Sequence, residues 1–282
     1  MPGIKGHYEA LRQVKNVIAV ASGKGGVGKS TVSVNLALAL AQSGAKVGLM
    51  DADIYGPSMG MMMGLYETPE VTPDKRLVPL EKYGLQVISM GVLSGPDTPV
   101  IWRGPMVSNM IQQFLSVVAW GALDYMIIDL PPGTGDVQLT LTQQAPLAGA
   151  VIVTTPQDIS LLDARKGLLM FDQVQVPVIG VIENMSTFIC QHCQKPTDIF
   201  GKGGGRRISD FFGVPFLGQI PIDPSIVVGG DSGSPLLIHQ PDSQAAHAFR
   251  WAAENMAAEL SVLNAALYTL PSDFKLVWKQ TG

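Results

Sequence analysis

Two cysteines, four histidines and a charged fraction of 15% are what this 282-residue chain has little of. The cysteines, Cys190 and Cys193, stand two residues apart. A bridge between them would close too small a loop to staple a fold, so the chain is not a disulfide scaffold. Four scattered histidines make no metal-storing tract. No apolar run reaches the roughly 20 residues that a membrane helix needs. Residues 1–15 lack the charged-then-apolar layout of a secretory signal. A net charge of −4 and a pI near 5.5 provide no global positive field for nucleic acid or anionic lipid. The expectation is a cytoplasmic protein with no nucleic-acid and no membrane partner.

What is abundant is apolar residues (46%), glycine (31) and proline (20), the makeup of a compact body with many tight loops. Short β-rich apolar runs alternate with amphipathic stretches. Strands are expected at 17–21, 46–50, 85–90, 125–128, 150–154, 178–182 and 216–220. Helices are expected at 30–42, 106–119, 136–145, 160–174, 205–212 and 243–264. Strands without polar alternation, separated by helices, imply an α/β fold with a mostly parallel sheet covered on both faces. No composition break marks a linker and no repeat is evident. The expected organisation is an N-terminal extension at 1–15, one domain at 16–266 with a loop insertion at 185–204, and a tail at 267–282. Residues 56–82, rich in Gly, Pro and Met, read as irregular.

Between the first strand and first helix lies Gly23-Lys24-Gly25-Gly26-Val27-Gly28-Lys29-Ser30, a Walker A pattern where the chemistry needs it. Glycines let consecutive N–H groups turn toward phosphate oxygens, and the helix N-terminus adds partial positive charge. Lys29 would reach the β- and γ-phosphates, Ser30 would bind Mg²⁺, and Thr31 would contact the α-phosphate. Asp51-Ala52-Asp53 and Asp129-Leu130-Pro131-Pro132-Gly133 end strands at the carboxyl edge, where open α/β sheets bind ligands. Asp129 would hold Mg²⁺ through water, Asp51 would stand behind that metal, and Asp53 is the candidate for orienting attacking water. Gly133 N–H is a candidate γ-phosphate sensor. Strand-end aspartates also cap helices, which is the competing reading.

The second loop position, Lys24, resembles the deviant Walker A group of dimeric ATPases. That resemblance implies a lysine crossing a homodimer interface to the partner's nucleotide. By the same kind of resemblance, Asn184, Pro221 and Asp223 fall where the superfamily reads the base, which favours ATP; ordinary turn chemistry is the competing reading.

One Cys-x-x-Cys supplies two thiolates, whereas tetrahedral zinc or an iron–sulfur cluster takes four ligands. A symmetric dimer bringing two such loops to its axis would complete the set. Zinc at the same site, with His192 as a possible contributor, is chemically equal. A thioredoxin-like pair would open a helix, and Gln194-Lys195-Pro196 is no helix start. Two idle cysteines are the remaining reading. Spacing alone does not choose between iron–sulfur and zinc.

Longer strings carry a closer resemblance. Val20 to Ser30, Asp51-Ala52-Asp53-Ile54-Tyr55-Gly56-Pro57-Ser58, Trp102-Arg103-Gly104-Pro105-Met106, Asp129 to Asp136 and Glu183-Asn184-Met185-Ser186 occur in order over residues 14–255. Together they resemble the Mrp/Nbp35 family of iron–sulfur cluster carrier ATPases, nearest its bacterial Mrp (ApbC) type. The resemblance implies a slowly hydrolysing ATPase homodimer. It would carry a [4Fe–4S] cluster on Cys190 and Cys193 of both subunits and pass it to apo iron–sulfur client proteins. Two departures stand out. Many bacterial relatives carry a small domain before the ATPase, and here about 15 residues precede the first strand. The family's Cys-Pro-x-Cys-Gly reads Cys190-Gln191-His192-Cys193-Gln194 here, a less constrained knuckle.

The rival is a MinD/ParA-like positioning ATPase, which shares Lys24, Lys29 and Asp53. Membrane-bound members need a basic amphipathic C-terminal helix, for which residues 267–282 with Pro271 are poorly suited. Neither membrane-bound nor DNA-bound members need the cysteine pair.

Overall fold

The computed structural model describes residues 9–54, 56–89, 91, 113–190, 192–193 and 195–269. The Trp102–Met106 string, Tyr55, Gln191, Gln194 and the tail beyond 269 lie outside them, as does most of the helix expected at 106–119. Of that helix, residues 113–117 are helical.

An eight-stranded sheet runs in the order β10-β7-β6-β1-β5-β2-β4-β3. Its strands are β1 (Val14–Ala21), β2 (Val47–Asp51), β3 (Leu80–Lys82), β4 (Leu85–Ser89), β5 (Leu123–Asp129), β6 (Gly149–Thr154), β7 (Val178–Glu183) and β10 (Phe216–Gln219). All neighbours pair in parallel except β3, which turns back on β4. Tyr83 and Gly84, both at positive φ (52° and 79°), make that turn. The small antiparallel hairpin of β8 (Phe188–Ile189) and β9 (Pro196–Thr197) stands apart.

The helices are α1 (Lys29–Gln42), α2 (Met59–Met63), α3 (Asp136–Gln144), α4 (Asp158–Gln173), α5 (Gly204–Phe212), α6 (Pro224–Asp231), α7 (Leu236–His239) and α8 (Gln244–Thr269). Side chains of one strand alternate between two cores, as the period of two requires. Ile18 and Val20 join Val32–Leu40 of α1 and Phe249 and Met256 of α8. Val17, Ala19 and Ala21 join Leu141 of α3 and Leu168 and Phe171 of α4. In α8 the buried set Ala245, Ala246, Phe249, Ala252, Ala253, Met256 and Leu260 follows the helical repeat, which fixes the face laid on α1.

The expected α/β architecture stands, with three corrections. Residues 56–82 are not wholly irregular, since they hold α2 and β3. Met59 and Met63 bury fully while Met61 is exposed, so the methionine run is largely core. Helices α6 and α7 fill the stretch between β10 and α8, which the sequence pattern left blank. The last helix also runs beyond the expected 264 to Thr269. Among the described residues no helix is long and apolar enough to cross a membrane.

Candidate functional site

Parallel pairing puts every strand's carboxyl end on one edge, and there the candidate residues meet. Register aligns Asp51 with Asp129, Asp51 with Ser89, and Val20 with Asp129. The loop from β1 to α1 turns at Gly26 and Gly28, with φ of 79° and 78°, a backbone region that favours glycine. Gly23 is needed for a different reason. A Cβ there would lie 2.0 Å from the Asp163 carbonyl oxygen, so α4 presses directly on the loop.

Asp129, fully buried, is the hub. Lys29 Nζ lies 2.7 Å from its Oδ2. Ser30 Oγ donates to Oδ2 at 2.6 Å, and Ser33 Oγ to Oδ1 at 2.7 Å. Lys29 is thus held on a carboxylate inside the protein, and an arriving polyphosphate would have to compete for it. Ser33, one helical turn beyond Lys29, escaped the sequence reading. The spacing Lys29-x-x-x-Ser33 on one helix face is the signal that could have found it.

Asp51 is also buried. Its Oδ1 accepts from Asp53 N–H at 3.1 Å, and its Oδ2 from Ser89 Oγ at 2.9 Å and Met59 N–H at 3.3 Å. Burial, and then the Asp129 charge beside it, pushes its carboxyl up to about 7, while the Ser89 and Asp53 bonds and Lys29 pull the other way. Ser89 was missed because its role exists only through strand register. Asp53 sits in the following loop and accepts from Gly56 N–H at 3.2 Å. Lys24 is half-buried, its carbonyl accepting from Ser22 Oγ at 2.9 Å. Gly133, the candidate sensor, has its N–H donated to Ser22 O at 3.0 Å, so in this state it is committed to the loop.

The expected base readers are arranged differently from one another. Buried Asn184 donates from Nδ2 to Val27 O at 2.8 Å, bracing the glycine loop from behind. Asp223 caps α6, accepting from Ser225 N–H at 2.9 Å, with Pro224 opening the helix. Pro221, Ile222 and Asp223 line a small cleft of about 150 Å³ together with Ile189 of the thiol hairpin.

Cys190 and Cys193 lie in the turn of the β8–β9 hairpin, both as free thiols. Cys190 N–H donates to Lys195 O at 3.2 Å, closing the turn. The Cys193 and His192 N–H groups, followed by the Cys193 thiol, hold the Cys190 thiol below its ordinary value. N–H groups turned on a sulfur are what a thiolate ligand needs, and strand β9 rather than a helix follows the pair. Among the described residues no group of three or more His, Cys, Asp and Glu is arranged to hold a metal within one chain.

Residues 13–257 match the family model described as NUBPL iron-transfer P-loop NTPase, within the ParA group. The chain belongs to this family. An iron–sulfur cluster carrier protein of Synechocystis is 53% identical over 259 residues, spanning 90% of this chain and 73% of that protein. A nucleotide-binding protein from Archaeoglobus fulgidus, solved in complex with ADP, is 38% identical with a TM-score of 0.75, covering 86% of this chain and 94% of that one. The cell division ATPase MinD of Pyrococcus furiosus, 23% identical with a TM-score of 0.65 over 86% of this chain and 98% of its own, shares the fold. As a family member the chain is a P-loop NTPase.

Proposed function

We propose that this protein is an ATP-dependent carrier of a [4Fe–4S] cluster, which it passes to apo iron–sulfur client proteins, with slow ATP hydrolysis coupled to the cargo. The observation that carries the reading is the shared edge. The two-thiol hairpin leaves β7 directly after Asn184, which is seated on the glycine loop. Two thiolates per chain are half of a cluster's ligand set, so the cargo belongs between two copies. The family match and the iron–sulfur carrier named above support the same reading.

The nucleotide chemistry follows from residues in place. Backbone N–H groups of Gly23 to Gly28 cradle phosphate oxygens, and Lys29 transfers from Asp129 to the β- and γ-phosphates. Ser30, Ser33, Asp51 and Asp129 form an oxygen-rich, hydroxyl-and-carboxylate set of the kind that Mg²⁺ prefers. Ser30 and Asp129 would hold that ion, with Asp51 behind them, and it would neutralise charge on the transferred phosphate. Asp53 orients the attacking water. Lys24 reaches the nucleotide of the second copy. Thr31 contacts the α-phosphate, and Asn184, Pro221 and Asp223 surround the base.

Anaerobic reconstitution is expected to load about one four-iron cluster per dimer. Cys190→Ala or Cys193→Ala is expected to abolish it while ATP binding survives. Stoichiometric zinc with no retained iron would overturn the cluster reading in favour of zinc at the same thiols.

A further inference from the structure

The loop that carries the thiols is tied to the nucleotide side of the sheet at both ends. Where it leaves β7, an ideal Cβ on Gly28 would lie 2.2 Å from Asn184 Nδ2 and 3.7 Å from Met185 Cε. Asn184 therefore closes on the glycine loop, where its amide bonds Val27 O, and the Met185 methyl lies beside Gly28. Where the loop returns, Gly205 N–H donates to the buried Glu183 carboxylate. A Cβ on Gly204 would meet Pro156 O at 2.6 Å, and one on Gly205 would meet Glu183 Cβ at 2.7 Å. That end is closely packed, with no room for a side chain at either glycine.

Met185 stands at the first end. Its φ is +55°, a left-handed conformation that side chains rarely adopt. Such a residue persists where its surroundings hold it there. Other non-glycine residues with positive φ, Lys75, Tyr83 and Gln175, sit in turns between elements. Beyond Met185 the chain runs on two rails. Ser186 donates from both N–H and Oγ to Ile220 O, at 2.9 and 3.0 Å. Ile222 N–H donates to Thr187 O at 2.9 Å, and Phe188 bridges Ile222. Strand β8 then delivers the chain to Cys190 with no slack between.

We infer that Met185 is a positioning residue through which the phosphate loop sets the exposure of Cys190 and Cys193. When phosphate fills the loop and Gly28 adjusts, the Met185 side chain follows. Its strained backbone passes the shift along Ser186 and Thr187 into β8. This inference rests on the proposed nucleotide site, though not on the identity of the cargo.

The test uses cluster-free full-length protein. The alkylation rate of the two thiols by a maleimide is followed with and without a saturating non-hydrolysable ATP analogue. Wild type is expected to change rate about fivefold or more on adding nucleotide, the scale of an ordinary allosteric coupling. Met185→Ala and Met185→Gly, which remove the side chain beside Gly28, are expected to respond less than about twofold. Nucleotide affinity should change by no more than the coupling itself, about fivefold, in both, and Met185→Leu, which keeps an apolar side chain there, should recover most of the response. An unresponsive wild type, or a full response in Met185→Ala, overturns the inference. Should the glycine variant fold poorly, the alanine variant decides. Iron loading of the same preparations separates the two readings. Gated thiols without iron would refute the carrier and keep Met185, whereas loading without gating would refute Met185 alone.

Discussion

At the scale of single residues, the site is a set of charges held unusually close. Lys29→Ala removes the cation proposed to meet the phosphates and is expected to abolish nucleotide binding in a titration with labelled ATP. Lys24→Ala is expected to keep binding and lose hydrolysis. Normal hydrolysis in that variant would refute its cross-dimer role. Asp51 gives a pH signature with a definite sign. Its carboxyl is raised to about 7, so the native state holds the proton more tightly than the unfolded chain does. Metal-free protein therefore loses stability as pH climbs from the ordinary carboxylate range through about 7. Asp51→Asn keeps the shape and removes the charge. Its melting temperature should approach wild type near pH 4 and exceed it increasingly up to pH 8, and a gap independent of pH would contradict the assignment. Most of these residues were legible as strand-end or loop letters. Ser89 and Ser33 were not, because a serine becomes a partner of a carboxylate only when register or helix phase brings it there.

At the scale of elements, close backbone packing decides what the loops tolerate. Gly23→Ala would drive a Cβ into the backbone of α4, which cannot yield as a flexible side chain can. A loss of about 1–3 kcal/mol in chemical denaturation is expected, with weakened nucleotide binding. The hairpin was readable only as an insertion with two thiols. Its strands are two residues each, too short for any periodicity, and β9 begins at a proline. Helix α2 was missed for a related reason. Five residues of Met and Gly carry no amphipathic pattern, and burial of Met59 and Met63 under neighbouring elements shapes the segment. Helix α6 did announce itself through Asp223-Pro224, an N-cap followed by proline at the first helical position. The turn chemistry was noticed and the helix behind it was not.

At the scale of the whole molecule, one chain is proposed to hold a nucleotide site and half a ligand set. Cluster loading is therefore expected to drive association. Sedimentation of the anaerobic, loaded protein should give twice the monomer mass, and Cys193→Ala treated in the same way should not. A loaded monomer would require ligands from elsewhere and would remove the shared-cluster geometry.

The sequence by itself determined the phosphate loop, the parallel α/β plan and the family. Those features live in local strings and in hydrophobic periodicity, which need no partner to be read. Only the tertiary structure decided how the chemistry is joined. Parallel register set Asp51 beside Asp129 and raised its carboxyl. Helix packing pressed α4 onto Gly23. The exit from β7 laid Asn184 against the glycine loop and Met185 beside Gly28, a short step along the chain from Cys190. Contacts between residues so far apart in the chain depend on where strands and helices come to rest, and no local pattern encodes that.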